Sequence, residues 1–512
     1  MLSYMLLTLI ISNAVCEARK PNFVIVLTDD QDVVLGGMRP MQNVRRLIAK
    51  EGITFRNSFV TSPICCPSRA SFLSGQYVHN HLTHNNSVAG GCYGHTWRTR
   101  EDRTFANVLK ENGYSTFYAG KYMNQYGTPS AGGPEHVPPG WTEWHGLVGN
   151  SVYYDYTLSN NGVPTHASDL YLTDVIRDLA VSYIENQTRP QPFLAVVAPP
   201  APHQPFTPAP RHKDVFKNIT AIRYPNFNVS VHDKHWLMSM PPSPLPSHLE
   251  PELDRVYRSR WESLLAVDEM VGDIMVALEK NNMLNDTYII YTSDNGYHIG
   301  QFSQVYDKRQ PYESDIRVPL TIRGPKISKN IKSNTPILNI DLAPTILTLA
   351  GLTPPEYMDG KPIGVFDDGS TVEERKMLVE YYGEGRDGTV DASCPWSYDA
   401  DNLAQCSRAY ACKCQDSKNN TFACLRHIAS HIDMKYCMFA DKKGFVEIYD
   451  LYEDPYEMVN AVNHVFPAVK VWYKHLLAKL LNCRGRHDCE NLLEKGPLQR
   501  NAGKFFKIRF LL

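Results

Sequence analysis

The stretch Ser62–Gly75 holds two adjacent cysteines, Cys65 and Cys66, followed at once by Pro67, Ser68 and Arg69. Pro67 suits the first residue of a helix, because its fixed φ fits that position and its missing N–H is not needed there. Ala70 to Leu73 continue such a helix and Gly75 ends it. The cysteines then sit at a helix N-terminus, where free N–H groups and the dipole favour an anion. Arg69 adds a fixed positive charge. The pattern suits a reactive sulfur, or a group made from it, beside an anionic substrate. It equally suits a half-buried cysteine or a disulfide partner, so the rest of the chain has to decide.

Two pairs of oxygen-bearing residues stand out next, Asp29-Asp30 and Asp294-Asn295. Such a set is what a hard cation such as Ca²⁺ or Mg²⁺ takes, whereas Zn²⁺ prefers His and Cys. Either pair alone reads as turn residues or caps; two pairs, each directly after an apolar run, favour a metal site. Lys121 and Lys308 join Arg69 as candidate cations for an anionic group, although Lys308, in Asp307-Lys-Arg-Gln310, reads on its own as a solvated charge. His203 and His298 are candidate general acid and base, since histidine titrates near neutral pH. His79, His81 and His84 form a third cluster, expected to support the site or face substrate rather than react.

The elements that must position these groups follow from apolar patterning. Asn22 to Thr28 is a nearly continuous apolar, β-branched run, the mark of a strand buried on both faces. Further strands are expected at 115–119, 192–197, 286–292, 318–322 and 377–381. Helices are expected at 43–50, 105–111, 168–187, 253–281 and 341–350, the fourth with Leu264, Val267, Val271, Ile274 and Leu278 on one face. Alternating strands and helices imply an α/β domain with a mainly parallel sheet, in which ligands bind beyond the carboxyl ends of the strands. Asp29, Lys121, His203 and Asp294 all follow expected strands and should share one rim. Residues 206–251, rich in Pro, Asn and Ser, read as a long insertion. From about residue 386 the cysteines cluster and a hairpin is expected around Lys442-Lys-Gly444. The expected division is a leader at 1–16, a catalytic α/β domain at 17–385 and a smaller disulfide-bearing α+β domain at 386–512.

Composition narrows the class of protein. At 512 residues and a net charge of −2, no global field draws nucleic acid or a membrane surface. The apolar run Met5–Val15 is too short to span a bilayer and reads as a signal peptide cleaved near Cys16. Of twelve cysteines, removing Cys16 and Cys65 leaves enough for five disulfides, which points to export. Six sequons, at Asn85, Asn186, Asn218, Asn228, Asn285 and Asn419, suit a glycoprotein.

Cys65-x-Pro67-Ser68-Arg69 resembles the sulfatase signature, and the resemblance runs on through Asp29-Asp30, Gly120-Lys121, His203, Asp294-Asn295, Lys308, Tyr312-Glu313, Arg317-Val318-Pro319 and Glu447–Asn460. It implies an alkaline-phosphatase-like α/β fold with a smaller C-terminal domain. It also implies conversion of Cys65 to formylglycine by the formylglycine-generating enzyme, and a Ca²⁺ site at Asp29, Asp30, residue 65, Asp294 and Asn295. The catalytic set it implies is residue 65, Arg69, Lys121, His203, His298 and Lys308. Many members carry a histidine two residues after the lysine; here Gly120-Lys121-Tyr122-Met123-Asn124 lacks it, as in members acting on glucosamine 6-sulfates and in the extracellular heparan endosulfatases. The endosulfatases' long basic insertion is absent. Tyr291–Phe302, Asp307–Gln310 and Tyr382–Arg386 favour the former. The expected reaction is hydrolysis of the 6-sulfate of N-acetylglucosamine in heparan or keratan sulfate, in the lysosome or outside the cell. A phosphate or phosphonate hydrolase of the same fold, or an inactive glycan-binding relative, are the alternatives.

Overall fold

The computed structural model describes residues 19–188, 190–370, 372–385, 388–396 and 402–490. The expected leader and Arg386 lie outside them. Strand Asn22–Thr28 is buried throughout and lies near the middle of a ten-stranded sheet. It pairs in parallel with Phe193–Ala198 on one side and Thr287–Ser293 on the other. Ser115–Lys121 continues the parallel set beyond Phe193–Ala198. Leu320–Arg323 runs antiparallel to Thr287–Ser293, and the far edge is a meander of Glu143–Leu147, Tyr156–Asn160 and Val163–Ala167.

The continuous apolar run in Asn22–Thr28 has its cause in this layering. Phe23, Ile25 and Leu27 pack with Leu109 and Ile346 on one face of the sheet. Val24 and Val26 pack with Val267 and Ile274 on the other. The second face is covered by helix Glu250–Lys280, whose buried residues include the five expected from sequence.

Helix Cys65–Ser74 starts two residues earlier than the proline suggested. Pro67 is therefore third rather than first, a position whose N–H is still unused by the helix. Gly75 ends it at φ +70, in the left-handed region that glycine adopts freely.

A second sheet is fully antiparallel, with Arg375–Tyr381, Phe422–Ala429, Ile432–Phe439 and Val446–Asp450 in that order. Strand Arg375–Tyr381 thus belongs here and not to the first sheet. Helix Pro467–Leu480 packs on it. Among the described residues there are five disulfides, Cys66–Cys92, Cys394–Cys412, Cys406–Cys414, Cys424–Cys437 and Cys483–Cys489. The two sheets are not separately cored. Phe59, Ile64 and Val318 share one apolar cluster with Leu378, Phe422 and Tyr473. The residue preceding the cysteine helix is therefore packed against the second sheet.

Candidate active site

Four loops converge beyond the carboxyl ends of the parallel strands. Asp29 and Asp30 follow Asn22–Thr28, Lys121 ends Ser115–Lys121, His203 lies just past Phe193–Ala198, and Asp294 and Asn295 follow Thr287–Ser293. Gly120 explains how Lys121 reaches the site. At φ +109, a Cβ there would lie 2.0 Å from the Ala198 carbonyl oxygen of the neighbouring strand, so only glycine allows that approach. The N-terminus of helix Cys65–Ser74 faces this rim from the side.

The side chains interlock. Lys121 Nζ lies 2.7 Å from Asp29 Oδ2, and Lys308 Nζ lies 2.6 Å from Asp30 Oδ2. Arg69 Nε is 2.7 Å from Asp294 Oδ2, and its Nη2 is 3.6 Å from Asp29 Oδ1. Cys65 Sγ is 3.8 Å from Asp29 Oδ1, and His203 Nε2 is 3.8 Å from Asp30 Oδ2. Asp30 has φ +67, a conformation that a non-glycine residue keeps only where its surroundings enforce it. Here the Asp30 N–H donates to Asp294 Oδ1 at 3.0 Å, and Asn295 Nδ2 donates to Asp30 Oδ1 at 2.8 Å. Ser68 binds the Asp294 carbonyl and Ser151 binds the Asp29 carboxylate.

Three carboxylates and three cations, all at least nine-tenths buried, balance one another. Burial works to raise Asp29, but Lys121, His203 and Arg69 hold it well below the usual carboxylate range. Lys308 does the same for Asp30 against its burial. Asp294 goes the other way, pushed up to about 7 by burial and by the charge on Asp29. His203 is pushed down to about 4 by burial and by Lys308. Burial pushes the Cys65 thiol up to about 11, so as cysteine it is a neutral, weak nucleophile.

The cluster has the chemistry of a cation site. Ligand atoms of Asp29, Asp30, Cys65 and His203 all lie within 4.8 Å of one another. Asp294 and Asn295 adjoin them, and Asn295 Oδ1 is a buried oxygen with no hydrogen-bond partner. An orphaned amide oxygen beside three carboxylates fits a hard divalent ion. Such an ion would also relieve the repulsion that raises Asp294.

A cleft of about 210 Å³ opens above the cluster, its wall including Asp30, His203, Lys308, Arg309, Asn86, Asn124 and Gln405. Met123 is instead in the apolar core, so the place where many relatives carry a histidine offers no proton acceptor from that residue. His298 is held by Asp315 through Nδ1 alone, at 3.0 Å, and its Nε2 is buried with no hydrogen-bond partner among the described residues. It is 2% exposed. The histidines of the third cluster hold structure together: His79 bridges Glu380 and the Cys483 carbonyl, His81 bonds Ser71, and His84 lies against the Tyr382 ring, tilted, at 4.4 Å. Lys308, which reads as a surface charge by itself, is buried. Residues of the site without any sequence signal are Ser151, which sits in an irregular loop and binds Asp29, and Gln405, which comes from the cysteine-rich segment and lines the cleft. Asp307 and Arg309 carried a signal, since they flank Lys308.

Comparison with known proteins gives concordant results. The family described as Sulfatase matches residues 21–352. The N-acetylglucosamine-6-sulfatase of Homo sapiens is 44% identical over 476 residues, covering 91% of this chain and 85% of its own length. That of Capra hircus is 43% identical over 484 residues, covering 93% and 86%. A solved structure in complex with its substrate D-glucosamine-2-N,6-O-disulfate superposes with a TM-score of 0.70 at 24% identity, covering 90% of this chain and 97% of that one.

Proposed function

The chain belongs to the sulfatase family, whose members hydrolyse sulfuric esters, and from that premise we propose that it removes the 6-sulfate from N-acetylglucosamine units of heparan or keratan sulfate. The relatives' identity over nearly the whole chain supports the sugar. The observation that carries the chemistry is the position of Cys65, buried and 3.8 Å from Asp29, in a pocket where three cations surround three carboxylates.

A thiol held up to about 11 is a poor nucleophile at physiological pH, so the reacting atom is assigned to formylglycine at this position rather than to the cysteine itself. Formylglycine at this position supplies the nucleophilic oxygen, as an aldehyde hydrate, that the neutral thiol lacks. A calcium ion held by Asp29, Asp30, Asp294, Asn295 and residue 65 supplies positive charge toward the sulfate oxygens. The chain's own part is to hold the ester and neutralise charge as it grows. Arg69, Lys121 and Lys308 do this from fixed, buried positions, where electrostatic stabilisation is strong and needs little reorganisation. A divalent ion held there would add positive charge to a pocket whose carboxylates these three cations already face, which suits an anionic ester.

In this proposal His203, as its imidazolium, protonates the leaving sugar oxygen. Its Nδ1 lies 2.5 Å from the Gln204 carbonyl oxygen, which fixes the proton there and turns Nε2 toward the cluster. An arriving sulfate ester brings negative charge, which raises the His203 pKa toward that role. His298, its Nδ1 held by Asp315 and its Nε2 unpaired, is the second candidate for proton transfer.

Five disulfides suit passage through an oxidising compartment, and delivery to the lysosome or the cell exterior belongs to the proposal. The sequons at Asn186, Asn218 and Asn285 are exposed and are the ones best placed to carry glycans. No helix among the described residues is long and apolar enough to cross a membrane. The decisive experiment pairs peptide mass analysis of residue 65 in protein from a eukaryotic secretory host with sulfate release from N-acetylglucosamine 6-sulfate, a phosphate ester being run alongside. Formylglycine with sulfate release and little phosphate release supports the reading. An unmodified thiol in fully active protein overturns the chemistry.

A further inference from the structure

The wall of the cleft above the cations is unusual in composition. Six of its lining residues are carboxamides: Asn86, Asn124, Gln125, Asn150, Gln204 and Gln405. Some are occupied within the protein, since Asn86 Oδ1 accepts from the Cys66 N–H at 2.9 Å and Gln125 Nε2 donates to the Asn86 carbonyl at 3.1 Å. The carboxamides of Asn150, Gln204 and Gln405 have no hydrogen-bond partner among the described residues, and of these three only Gln405 is half-buried rather than exposed. Its backbone is at φ +57, a region costly for a side chain with a Cβ. The strand register is the same on either side of Gln405. In the ladder of Leu403–Cys406 with Cys414–Ser417, Ala404 pairs with Asp416 and Cys406 with Cys414, and Gln405 is passed over.

That conformation is enforced from several directions. The Gln405 N–H donates to Thr389 Oγ1 at 3.0 Å, and the Cys406 N–H donates to the Thr389 carbonyl at 3.1 Å. Disulfides Cys406–Cys414 and Cys394–Cys412 tie the segment on both sides. A strained residue, stapled in place and presenting an unused amide to the cleft from outside the first sheet, is the kind of arrangement that persists at ligand-reading positions. The two cations of the wall, Lys308 and Arg309, are already paired, with Asp30 and with Asp307 and Glu384. The unoccupied groups are thus neutral hydrogen-bonding amides.

We propose that Gln405 is a specificity residue that hydrogen-bonds a neutral group, a hydroxyl or the acetamido group, on the sugar that carries the sulfate. This rests on the sugar sulfatase reading above. The alternative is that the strain at residue 405 only shapes the strand, and Gln405→Gly separates the two. Glycine adopts φ +57 without cost, so the variant keeps or raises the thermal midpoint. If Gln405 reads the sugar, kcat/KM on N-acetylglucosamine 6-sulfate falls about 3- to 10-fold, as for loss of one hydrogen bond. The loss falls mainly on KM. Inhibition by inorganic sulfate, which occupies the cation pocket without a sugar, stays within twofold. Unchanged sugar kinetics in Gln405→Gly overturn the assignment, as does a parallel weakening of sulfate inhibition. Wild-type protein that releases no sulfate from this sugar overturns the underlying reading, and the assignment with it.

Discussion

Replacing Lys121 by Met tests the charge balance on which the site depends. The Lys121 and Asp29 side chains are both fully buried, with Nζ 2.7 Å from Oδ2. Methionine fills most of the space of the lysine stem, so the change is chiefly one of charge. Asp29 then keeps the Ser151 hydroxyl and a distant Arg69, 3.6 Å away. Removing one partner of a buried pair costs about 3–5 kcal/mol, because the other charge is left without compensation. Removing both costs far less, so Lys121→Met combined with Asp29→Asn should recover to within about 2 kcal/mol of wild type. Urea denaturation of wild type, both single variants and the double variant, in EGTA, measures this cycle. Calcium should stabilise Lys121→Met more than wild type, since the ion replaces the missing charge beside Asp29. All three variants should lose at least about 100-fold in kcat, the scale of one lost charge-stabilising donor. A single variant within about 1 kcal/mol of wild type, or a double variant as unstable as the single one, would refute the argument.

Cys65→Ser should abolish sulfate release while changing stability in EGTA by less than about 1 kcal/mol, because residue 65 makes one long contact of 3.8 Å with Asp29 and otherwise only packs; activity and melting curves together check this. Calcium chelation should remove activity and lower the thermal midpoint. Calcium should restore both where zinc does not, and at 100-fold excess over its dissociation constant it should add about 2.7 kcal/mol. The Cys66–Cys92 disulfide closes a separation of 26 residues, for which chain entropy predicts about 3.5 kcal/mol; Cys66→Ser with Cys92→Ser should show that loss in denaturation. His203 sits at about 4 in the folded protein, so its protonated fraction rises roughly tenfold for each pH unit from 7 to 5. The value of kcat/KM should rise with it, levelling near pH 4, and His203→Gln should flatten the profile; a wild-type profile that rises with pH sinks the acid role. The same depressed value draws on stability, because the unfolded chain takes up this proton near 6.5 and the folded one only near 4. That part of the stability is lost as pH falls between the two values.

Local pattern alone determined a good deal about this protein. Asn22–Thr28 and Thr287–Ser293 were legible as doubly buried strands because a parallel sheet covered on both faces leaves no polar side to alternate. From that followed one rim carrying Asp29, Lys121, His203 and Asp294. The cysteine helix was legible too, though its start was not, since proline fits any position of a first turn. What pattern could not carry was any property that depends on several segments at once. Strand Arg375–Tyr381 continues the apolar rhythm of the first sheet yet pairs with Phe422–Ala429, because pairing is decided by which edge is within reach. Lys308 looks solvated among charged neighbours and His298 looks reactive after a strand. Only packing placed the first on Asp30 and tied the second to Asp315. Gln405 gave no signal, because its importance lies in a φ that no glycine announced and in a cleft made by segments distant from it in the chain. Side-chain type and local period reveal which residues could react; burial, shared charge and long-range pairing decide which of them meet.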